Sequence, residues 1–450
     1  MQPVTTSSSI DTSKLNRDAL IAWYRHNRER SRVIFDLLAD EAYYAQPIAL
    51  RHPIVFYEGH LPAFSFNTLV KRALGDISID PRLESLFARG IDPSDETAAG
   101  PTLQWPTRAA VQQFAAEADA RVLDALANAD LDRPGHALLD RAEAAFAILE
   151  HEAMHQETLL YMWHRLPFDH KRRPSNYRPR VDGAAPAQEW IAIPRGTATL
   201  GVDRGAISFG WDNEFAHTTA DVDAFAIERH DVTNDAFLAF VEAGGYDNPG
   251  WWTAEAWAWV EQEHVRHPLF WERHDGNWYW RGMFDLIALP PAWPAYVSQA
   301  EAAAYARWRD VRLPSEAEFQ RAAFGGPGQR ERTHPWGEER PSAEYGVFDF
   351  ASWDPEPAGS HPAGASAWGV EDLVGNGWEW TSTVFAPFAG FRAMASYPEY
   401  SADFFDGEHV VMKGASPATA RELIRPSFRN WFRTRYPYVY ATFRCAKGAR

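Results

Sequence analysis

The sequence places two histidines one helical turn apart on the apolar face of a single segment. His151 and His155 lie in a run from about Leu138 to Leu166 that has the spacing of one long helix. Apolar residues recur on the same line at intervals of three and four, so this face points into the interior. Those residues are Ala144, Ile148, Leu159 and Met162. Imidazoles at positions i and i+4 are spaced to hold one metal ion between them.

The alternative is that each histidine is an ordinary core residue, hydrogen-bonded to a neighbour. For a single histidine that would be the better interpretation. Two histidines on one buried line favour a metal site instead, because burying an imidazole without partners costs about 1–3 kcal/mol. We therefore interpret the pair as part of a metal site.

Length, charge and cysteine content narrow the class of protein. A chain of 450 residues is too long for one ordinary core, so two or three domains are expected. The net charge of −17 argues against binding to nucleic acid or to an anionic membrane surface, since both need a basic footprint. Cys445 is the single cysteine, which excludes an intrachain disulfide and redox chemistry between two cysteines.

The N-terminal residues indicate the compartment. Met1–Ser9 is rich in Ser and Thr and lacks an apolar signal region. No stretch of the sequence approaches the length of a membrane span. We therefore expect a soluble, cytoplasmic protein.

The first part of the chain predicts a helical bundle over residues 15–166, after a polar tail over residues 1–14. The predicted helices are Leu15–Asp40, Phe56–Leu74, Thr107–Ala129 and Leu138–Leu166. Pro62 must either start or kink the second of these, and a connection rich in Pro, Gly and Asp follows it from Gly75 to Pro106. Four amphipathic helices make a bundle, and metal sites are often built between facing helices in a bundle interior.

Residues 167–186 are basic and Pro-rich, which predicts a linker before a second domain over residues 187–450. In this second part Gly, Pro and Trp are frequent and helical patterns are rare. The predicted helices are Asn234–Ala243, Ser298–Arg309 and Ser315–Phe324, and the predicted strands include Trp190–Ile193, Thr197–Leu200 and Val410–Lys413. Periodicity alone predicts only a mixed, loop-rich domain.

Several motifs in this second domain occur in the order seen in one known fold. They are Arg312-Leu-Pro-Ser-Glu-Ala-Glu318, Gly325-Gly326, His334-Pro-Trp-Gly337, Trp368-Gly369, Gly375-Asn-Gly-Trp-Glu-Trp-Thr381, Lys413-Gly-Ala-Ser416 and Phe443-Arg-Cys-Ala446. Residues 187–446 thereby resemble the formylglycine-generating-enzyme (sulfatase-modifying factor) fold, a C-type-lectin-like scaffold. The enzyme that names this fold uses a pair of cysteines, so a chain with one cysteine cannot share its chemistry.

The whole chain resembles the ergothioneine-pathway sulfoxide synthases and the related selenoneine synthases, in which a DinB-like four-helix bundle precedes such a domain. This resemblance implies that three histidines hold a non-haem Fe(II), which uses O2 to join sulfur or selenium to the imidazole of hercynine. His151, His155 and Glu157 match the family's H-x3-H-x-E motif, and His60 in Tyr57-Glu-Gly-His-Leu-Pro62 is the implied third ligand.

Glu157 follows His155 by two residues, which is about 200° around the helix. We therefore expect its carboxylate to pair with another helix rather than to bind the metal. A structural ion pair and a role in orienting a metal ligand are both open for it.

The segment Phe428-Arg-Asn-Trp-Phe-Arg433 is similar to the family segment that contacts hercynine. The resemblance implies that Asn430 and Trp431 bind this substrate. An aromatic ring suits a quaternary ammonium, which makes no hydrogen bonds, through a cation–π attraction of roughly 0.5–2 kcal/mol. Core packing is the alternative for Trp431.

Three positions depart from the mycobacterial type of this family. Phe432 replaces an acidic residue that helps to bind γ-glutamylcysteine, Tyr436 replaces an Arg, and Met154 replaces the Gln that many relatives have before the second helix histidine. The altered pocket fits cysteine, or a selenium-bearing sugar as in selenoneine synthases, at least as well as γ-glutamylcysteine.

The family also uses a tyrosine near the iron as a proton donor. Spacing does not select among Tyr397, Tyr400 and Tyr436, so no catalytic residue is assigned at this point. Two other functions remain open. One is a metal-dependent thiol transferase of the DinB type, and the other is a non-catalytic binding module.

Overall fold

The computed structural model describes residues 15–88, 104–328 and 330–449. The polar tail predicted over residues 1–14, and residues 89–103 of the connection predicted after Gly75, lie outside the described residues. No helix within the described ranges is both long enough and apolar enough to cross a lipid bilayer.

Four helices of the first domain pack into a bundle, as the sequence predicts. They are α1 (Arg17–Asp36), α2 (Ile54–Ser65), α4 (Arg108–Asn128) and α5 (Glu143–Arg165), and the short α3 (Pro81–Leu86) lies between α2 and α4. Both α1 and α2 pack against α4 and α5. The side chains of Asn16 and Thr107 cap α1 and α4 by accepting hydrogen bonds from the backbone N–H groups of Ala19 and Ala110.

Pro62 does not start α2. The helix begins at Ile54 and Pro62 lies in its interior, where the missing N–H removes one helical hydrogen bond. One turn later the chain continues as a π-helix over Phe66–Ala73. Such changes of hydrogen-bond register are frequent at functional sites, and this one directly follows the turn that carries His60.

Short strands and helices form the second domain. The strands are β1 (Trp190–Ile193), β2 (Gly196–Leu200), β3 (Thr218–Val222), β4 (Phe225–Glu228), β5 (Trp271–His274), β6 (Asn277–Arg281), β7 (Leu286–Ala288), β8 (Gly377–Val384), β9 (His409–Ala415), β10 (Asn430–Arg433), β11 (Ala441–Thr442) and β12 (Ala446–Gly448). The helices are α6 (Asn234–Glu242), α7 (Ala254–Gln262), α8 (Gln299–Trp308), α9 (Glu316–Phe324) and α10 (Glu399–Ala402).

The sheet that matters for the site has the order β10-β9-β8-β11. In it β10 pairs antiparallel with β9, with Asn430 opposite Met412 and Phe432 opposite Val410. Strand β9 is antiparallel to β8, and β11 is parallel to β8. This sheet places β10, with its Asn-Trp-Phe-Arg sequence, at an edge.

The helices α3, α7 and α10 are not predicted from the sequence pattern. The N-cap of α7 is Thr253, whose hydroxyl accepts from the Ala256 N–H. The Trp-Ala-Trp order at residues 257–259 alternates large and small side chains as a strand does, which hides the helical period.

Buried or partly buried polar residues, spaced seven apart on one face of α5, bond to the second domain. They are Glu143, Glu150, Glu157 and His164. Their partners, in the same order, are Ser396; Arg425; Trp378 with Ser416 and Thr419; and Tyr440 with the Arg281 carbonyl. Seven residues are almost two turns, so all four lie on one line, which we call the α5 seam.

The strongest contact of the α5 seam is an ion-pair triad. The guanidinium of Arg425 donates to Glu150 of α5 at 2.8 and 2.9 Å and to Glu214 of the second domain at 2.8 and 2.6 Å. Both carboxylates are buried. Burial raises the pKa of Glu150 to about 7, and the Arg425 charge opposes that rise.

Replacing Arg425 with Ala should therefore destabilise the protein by about 3–5 kcal/mol, because two buried carboxylates lose their partner. Urea unfolding followed by Trp fluorescence measures this. The control is Arg173→Ala, which removes an exposed pair with Asp285 whose side chains are 47% and 45% exposed; it should cost less than about 1 kcal/mol. Equal losses for the two variants would contradict the importance of the triad.

Candidate metal centre

Three imidazoles from two helices converge in the bundle. Helix α2 carries His60, and α5 carries His151 and His155. One nitrogen from each ring lies within 4.8 Å of the others. The ring centroids are 5.1 Å apart for His60 and His151, 5.0 Å for His60 and His155, and 4.2 Å for His151 and His155.

Backbone carbonyls orient two of the three rings. His60 Nδ1 donates to the Phe87 carbonyl at 2.7 Å, and His155 Nδ1 donates to the His151 carbonyl at 3.1 Å. Each of these rings therefore directs its Nε2 lone pair away from the carbonyl. Such a bond fixes the tautomer of a metal-binding histidine and raises its basicity.

The other ring nitrogens of this cluster lack hydrogen-bond partners in the described part of the chain. His60 Nε2 and both ring nitrogens of His151 are buried and have no hydrogen-bond partner among the described residues. Each such buried nitrogen costs about 1–3 kcal/mol unless something binds it. A cation among the three rings would remove that cost, so the donor set fits a metal.

The protonation state also suits a metal. Burial lowers the pKa of His60 to about 4 and that of His155 to about 3, and it lowers the pKa of His151 as well. All three rings are therefore neutral at pH 7, the form that binds metals. Three imidazoles suit Zn, Fe, Cu or Ni and leave coordination positions for other ligands.

A cavity of about 390 Å³ opens on the three histidines and is lined by both domains. The candidate substrate residues from the sequence all line it: Asn430, Trp431 and Phe432 of β10, and Met154 of α5. The structure thus brings every predicted site residue to one cavity, although the two sets lie far apart in the chain. Met154 Sδ accepts a hydrogen bond from the Tyr400 hydroxyl at 3.2 Å.

Successive side chains of β10 point to opposite faces of the strand, and side chains from both faces line the cavity. On one face Trp431 packs against Phe385, Tyr400 and Phe404, with centroid distances of 4.2, 5.1 and 5.7 Å. We call this face, with Asp403 and Asp406 that also line the cavity, the acidic lobe.

On the other face of β10, Phe432 stacks on Tyr436 at 5.1 Å and contacts Tyr161 at 6.5 Å. The guanidinium of Arg51 lies over all three rings, 5.4–5.9 Å from their centroids. We call this set of four residues the aromatic lobe. Sequence reasoning missed Arg51 and Tyr161, although Tyr161 lies one turn beyond Glu157 on α5.

Of the three candidate tyrosines, Tyr397 has a ring contact with the histidine cluster. Its centroid lies 5.9 Å from that of His151 and 5.3 Å from that of Phe64. Burial raises the pKa of Tyr397, so its hydroxyl stays protonated at neutral pH. Tyr436 lies in the aromatic lobe, and Tyr400 is bonded to Met154.

The prediction that Glu157 pairs with another helix is wrong. Its carboxylate accepts from Trp378 Nε1 at 2.8 Å, Ser416 Oγ at 2.6 Å and Thr419 Oγ1 at 2.9 Å, all in the second domain. These donors are neutral, so the contact is no ion pair. The sequence feature that could have indicated this contact is the spacing of seven residues between Glu150 and Glu157, which places both on one side of α5.

The structure is thus a helical bundle with a cluster of three histidines, facing a second domain that supplies the other wall of the cavity. Residues 24–159 match the model of the DinB superfamily, and residues 178–449 match that of the sulfatase-modifying factor enzyme 1-like domain. The second match alone covers more than half of the chain.

The chain is also similar to proteins of known name. It is 36% identical to hercynine oxygenase of Mycolicibacterium smegmatis over 331 residues, 71% of this chain and 73% of that protein. For hercynine oxygenase of Mycolicibacterium thermoresistibile the identity is 34% over 381 residues, with 82% and 80% covered. Among solved structures, PvdO from Pseudomonas aeruginosa aligns with 62% of this chain and 100% of its own, at 20% identity and a TM-score of 0.40. The chain belongs to the hercynine oxygenase family.

Replacing His155 with Ala should remove the metal, because one of three nitrogen donors is lost. Loss of a residue that only supports a ligand already costs roughly 10–100-fold in metal affinity, so the loss here should exceed that. Metal content after equilibrium dialysis against Fe(II) under anaerobic conditions measures it. His274→Ala, a change at a half-exposed histidine of β5, should keep one metal per chain. Full metal content in the His155 variant would refute the ligand assignment.

Proposed function

We propose that the protein is a non-haem Fe(II)- and O2-dependent enzyme that forms a carbon–sulfur or carbon–selenium bond on the imidazole of hercynine. The observation that carries this proposal is the cluster of three neutral imidazoles facing a cavity whose opposite wall is β10. Membership of the hercynine oxygenase family supports the substrate.

In this proposal His60, His151 and His155 hold the iron. Bound Fe(II) would supply the redox chemistry that activates O2 and a site for a soft chalcogen donor. The protein contributes the fixed tautomers of His60 and His155 and a cavity shielded by aromatic rings.

The acidic lobe suits the ammonium end of hercynine. The rings of Trp431, Tyr400 and Phe404 offer faces to a quaternary ammonium, with a cation–π attraction of roughly 0.5–2 kcal/mol. Asp403 and Asp406 also line the cavity, and the Asp406 carboxylate is bonded to His409 Nδ1 at 2.9 Å. Asn430 lies on the opposite face of β10 from Trp431. Its Oδ1 already accepts from the Trp431 N–H at 2.9 Å, so its Nδ2 group is left to donate to the carboxylate of hercynine.

The proposed reaction balances with O2 as the oxidant. The imidazole C–H and the S–H or Se–H of the donor lose their hydrogens as the carbon–chalcogen bond forms, which releases two electrons. Transfer of one oxygen atom to the chalcogen releases two more. The second oxygen atom takes up the two hydrogens and leaves as water. The donor is a cysteine-type thiol or a selenium-bearing sugar.

Tyr397 is the proposed proton donor, because its hydroxyl is protonated at neutral pH and its ring contacts His151. Replacing it with Phe removes only that hydroxyl. We expect the rate of product formation to fall by roughly 10²–10⁴-fold, with little change in KM for hercynine.

Steady-state kinetics with mass-spectrometric detection measures both parameters. The matched variant Tyr400→Phe removes a hydroxyl that is bonded to Met154 Sδ, so it should lower the rate far less. Equal losses in the two variants would contradict the role of Tyr397.

The function itself is tested by anaerobic reconstitution with Fe(II), followed by exposure to O2 with hercynine and one of three donors: cysteine, γ-glutamylcysteine or a selenium-bearing sugar. A coupled product by mass spectrometry, dependent on both Fe(II) and O2, is the expected result. A product that forms with zinc and without O2 would instead indicate a thiol transferase. No product with any donor would overturn the proposal.

A further inference from the structure

The three rings of the histidine cluster are held in two different ways. His60 and His155 each donate to a backbone carbonyl, whereas neither nitrogen of His151 has a hydrogen-bond partner among the described residues. The χ2 torsion of a histidine has broad preferences of its own, so the side chain alone does not set the plane of the ring. Some other contact must orient His151 if it is to bind a metal together with the other two.

An aromatic ring takes the place of the missing hydrogen bond. Phe64 of α2 lies against the face of His151, with ring centroids 3.5 Å apart and ring planes 7° from parallel. The other ring contacts of Phe64 are longer, at 5.3 Å to Tyr397 and 6.1 Å to His60. Turning the imidazole about χ2 would drive its edge into the face of the phenyl ring. The stack therefore fixes the plane of His151.

The spacing along α2 brings Phe64 to this place. Phe64 follows His60 by four residues, as His155 follows His151 on α5, so Phe64 and His60 share one face of α2. Phe56, one turn before His60, stacks on the His60 ring at 4.9 Å and 19°. The α2 face thus presents an aromatic ring, a histidine and a second aromatic ring. Phe56 supports the histidine of its own helix, and Phe64 supports a histidine of the facing helix.

Core packing accounts less well for the position of Phe64. The side chain is only partly buried, and it lines a second cavity of about 560 Å³ together with His60 and Tyr397. Phenylalanines that fill the bundle core are enclosed instead: Phe56 is 2% exposed and Phe66 is 0% exposed. A ring that borders open space gains less from burial, so the contact with His151 explains its position better.

We infer that Phe64 is a positioning residue of the metal centre, which holds the His151 ring by stacking so that one ring nitrogen faces those of His60 and His155. This inference rests on the proposed function, because it takes His151 as a metal ligand. Phe64 also contacts Tyr397, whose ring lies 5.9 Å from that of His151. The same phenyl ring therefore holds the proposed proton donor beside the ligand.

Binding of Co(II) to the metal-free, full-length chain tests this inference without turnover. Phe64→Leu and Phe64→Met each remove the ring but keep a large apolar side chain. Both should weaken Co(II) affinity by roughly 2- to 10-fold, the range expected for one aromatic pair. Both should also change the visible absorption bands of bound Co(II), which report the geometry of its ligands. Competition with a chelator measures the affinity, and absorption spectroscopy measures the bands.

Two control variants separate orientation of the ligand from loss of stability. Phe64→Tyr keeps the ring, so it should retain the wild-type affinity and spectrum. Phe146→Leu removes a partly buried ring of α5 that stacks on Phe209 at 5.8 Å and lines neither of the two cavities. It should leave Co(II) binding unchanged, and thermal unfolding of each variant measures the accompanying change in stability.

Wild-type affinity and spectrum in both Phe64→Leu and Phe64→Met would overturn the inference, as would an equal loss of affinity in Phe146→Leu. Either result would leave the proposed function standing, because the wild-type histidines would still bind the metal. Failure of the wild-type chain to bind Co(II) would instead overturn the ligand assignment, and with it both the proposed function and this inference.

Discussion

The α5 seam is the interaction on which the rest of the structure depends. Polar residues at every seventh position bond to the second domain, and His151 and His155 lie between the second and third of them. A buried polar contact tolerates little displacement, because each unpaired group is costly. The α5 seam therefore fixes the position of α5 along its axis and its rotation about that axis, relative to the second domain. That register determines which part of the second domain, namely β10, faces the histidines.

Much of this could be predicted from the sequence. The i, i+4 histidines on an apolar line indicate a metal site because helical periodicity is local, and the motifs around β10 indicate the substrate wall. The seam could not be interpreted in the same way. In a sequence, carboxylates two turns apart usually indicate a helix face exposed to solvent. In the structure Glu150 and Glu157 are buried instead, because Arg425, Ser416 and Thr419 of the second domain bond to them. Arg51 and Tyr161 could not be predicted to line the cavity, because no spacing in the sequence links them to Phe432.

The two domains divide the chemistry. The bundle supplies the three imidazoles, while the lectin-like domain supplies ring faces and carboxylates and contributes no residue to the histidine cluster. Acidic and basic side chains both line this cavity, among them Asp403, Asp406, Arg433 and Arg51, and the Arg51 guanidinium lies over the Phe432 ring. In the proposed function, a scaffold known for cysteine chemistry serves a different reaction, because the histidine cluster lies in the bundle.

The burial of Cys445, the single cysteine of the chain, has a consequence for the proposed reaction with O2 and a thiol or selenol donor. The Cys445 thiol is fully buried, and burial raises its pKa well above the ordinary value. The described surface therefore presents no sulfhydryl that an oxidised substrate could trap as a mixed disulfide or selenylsulfide. The protein is therefore protected from inactivation through such a disulfide. A covalent adduct found on the folded protein after prolonged turnover is expected on a side chain other than cysteine.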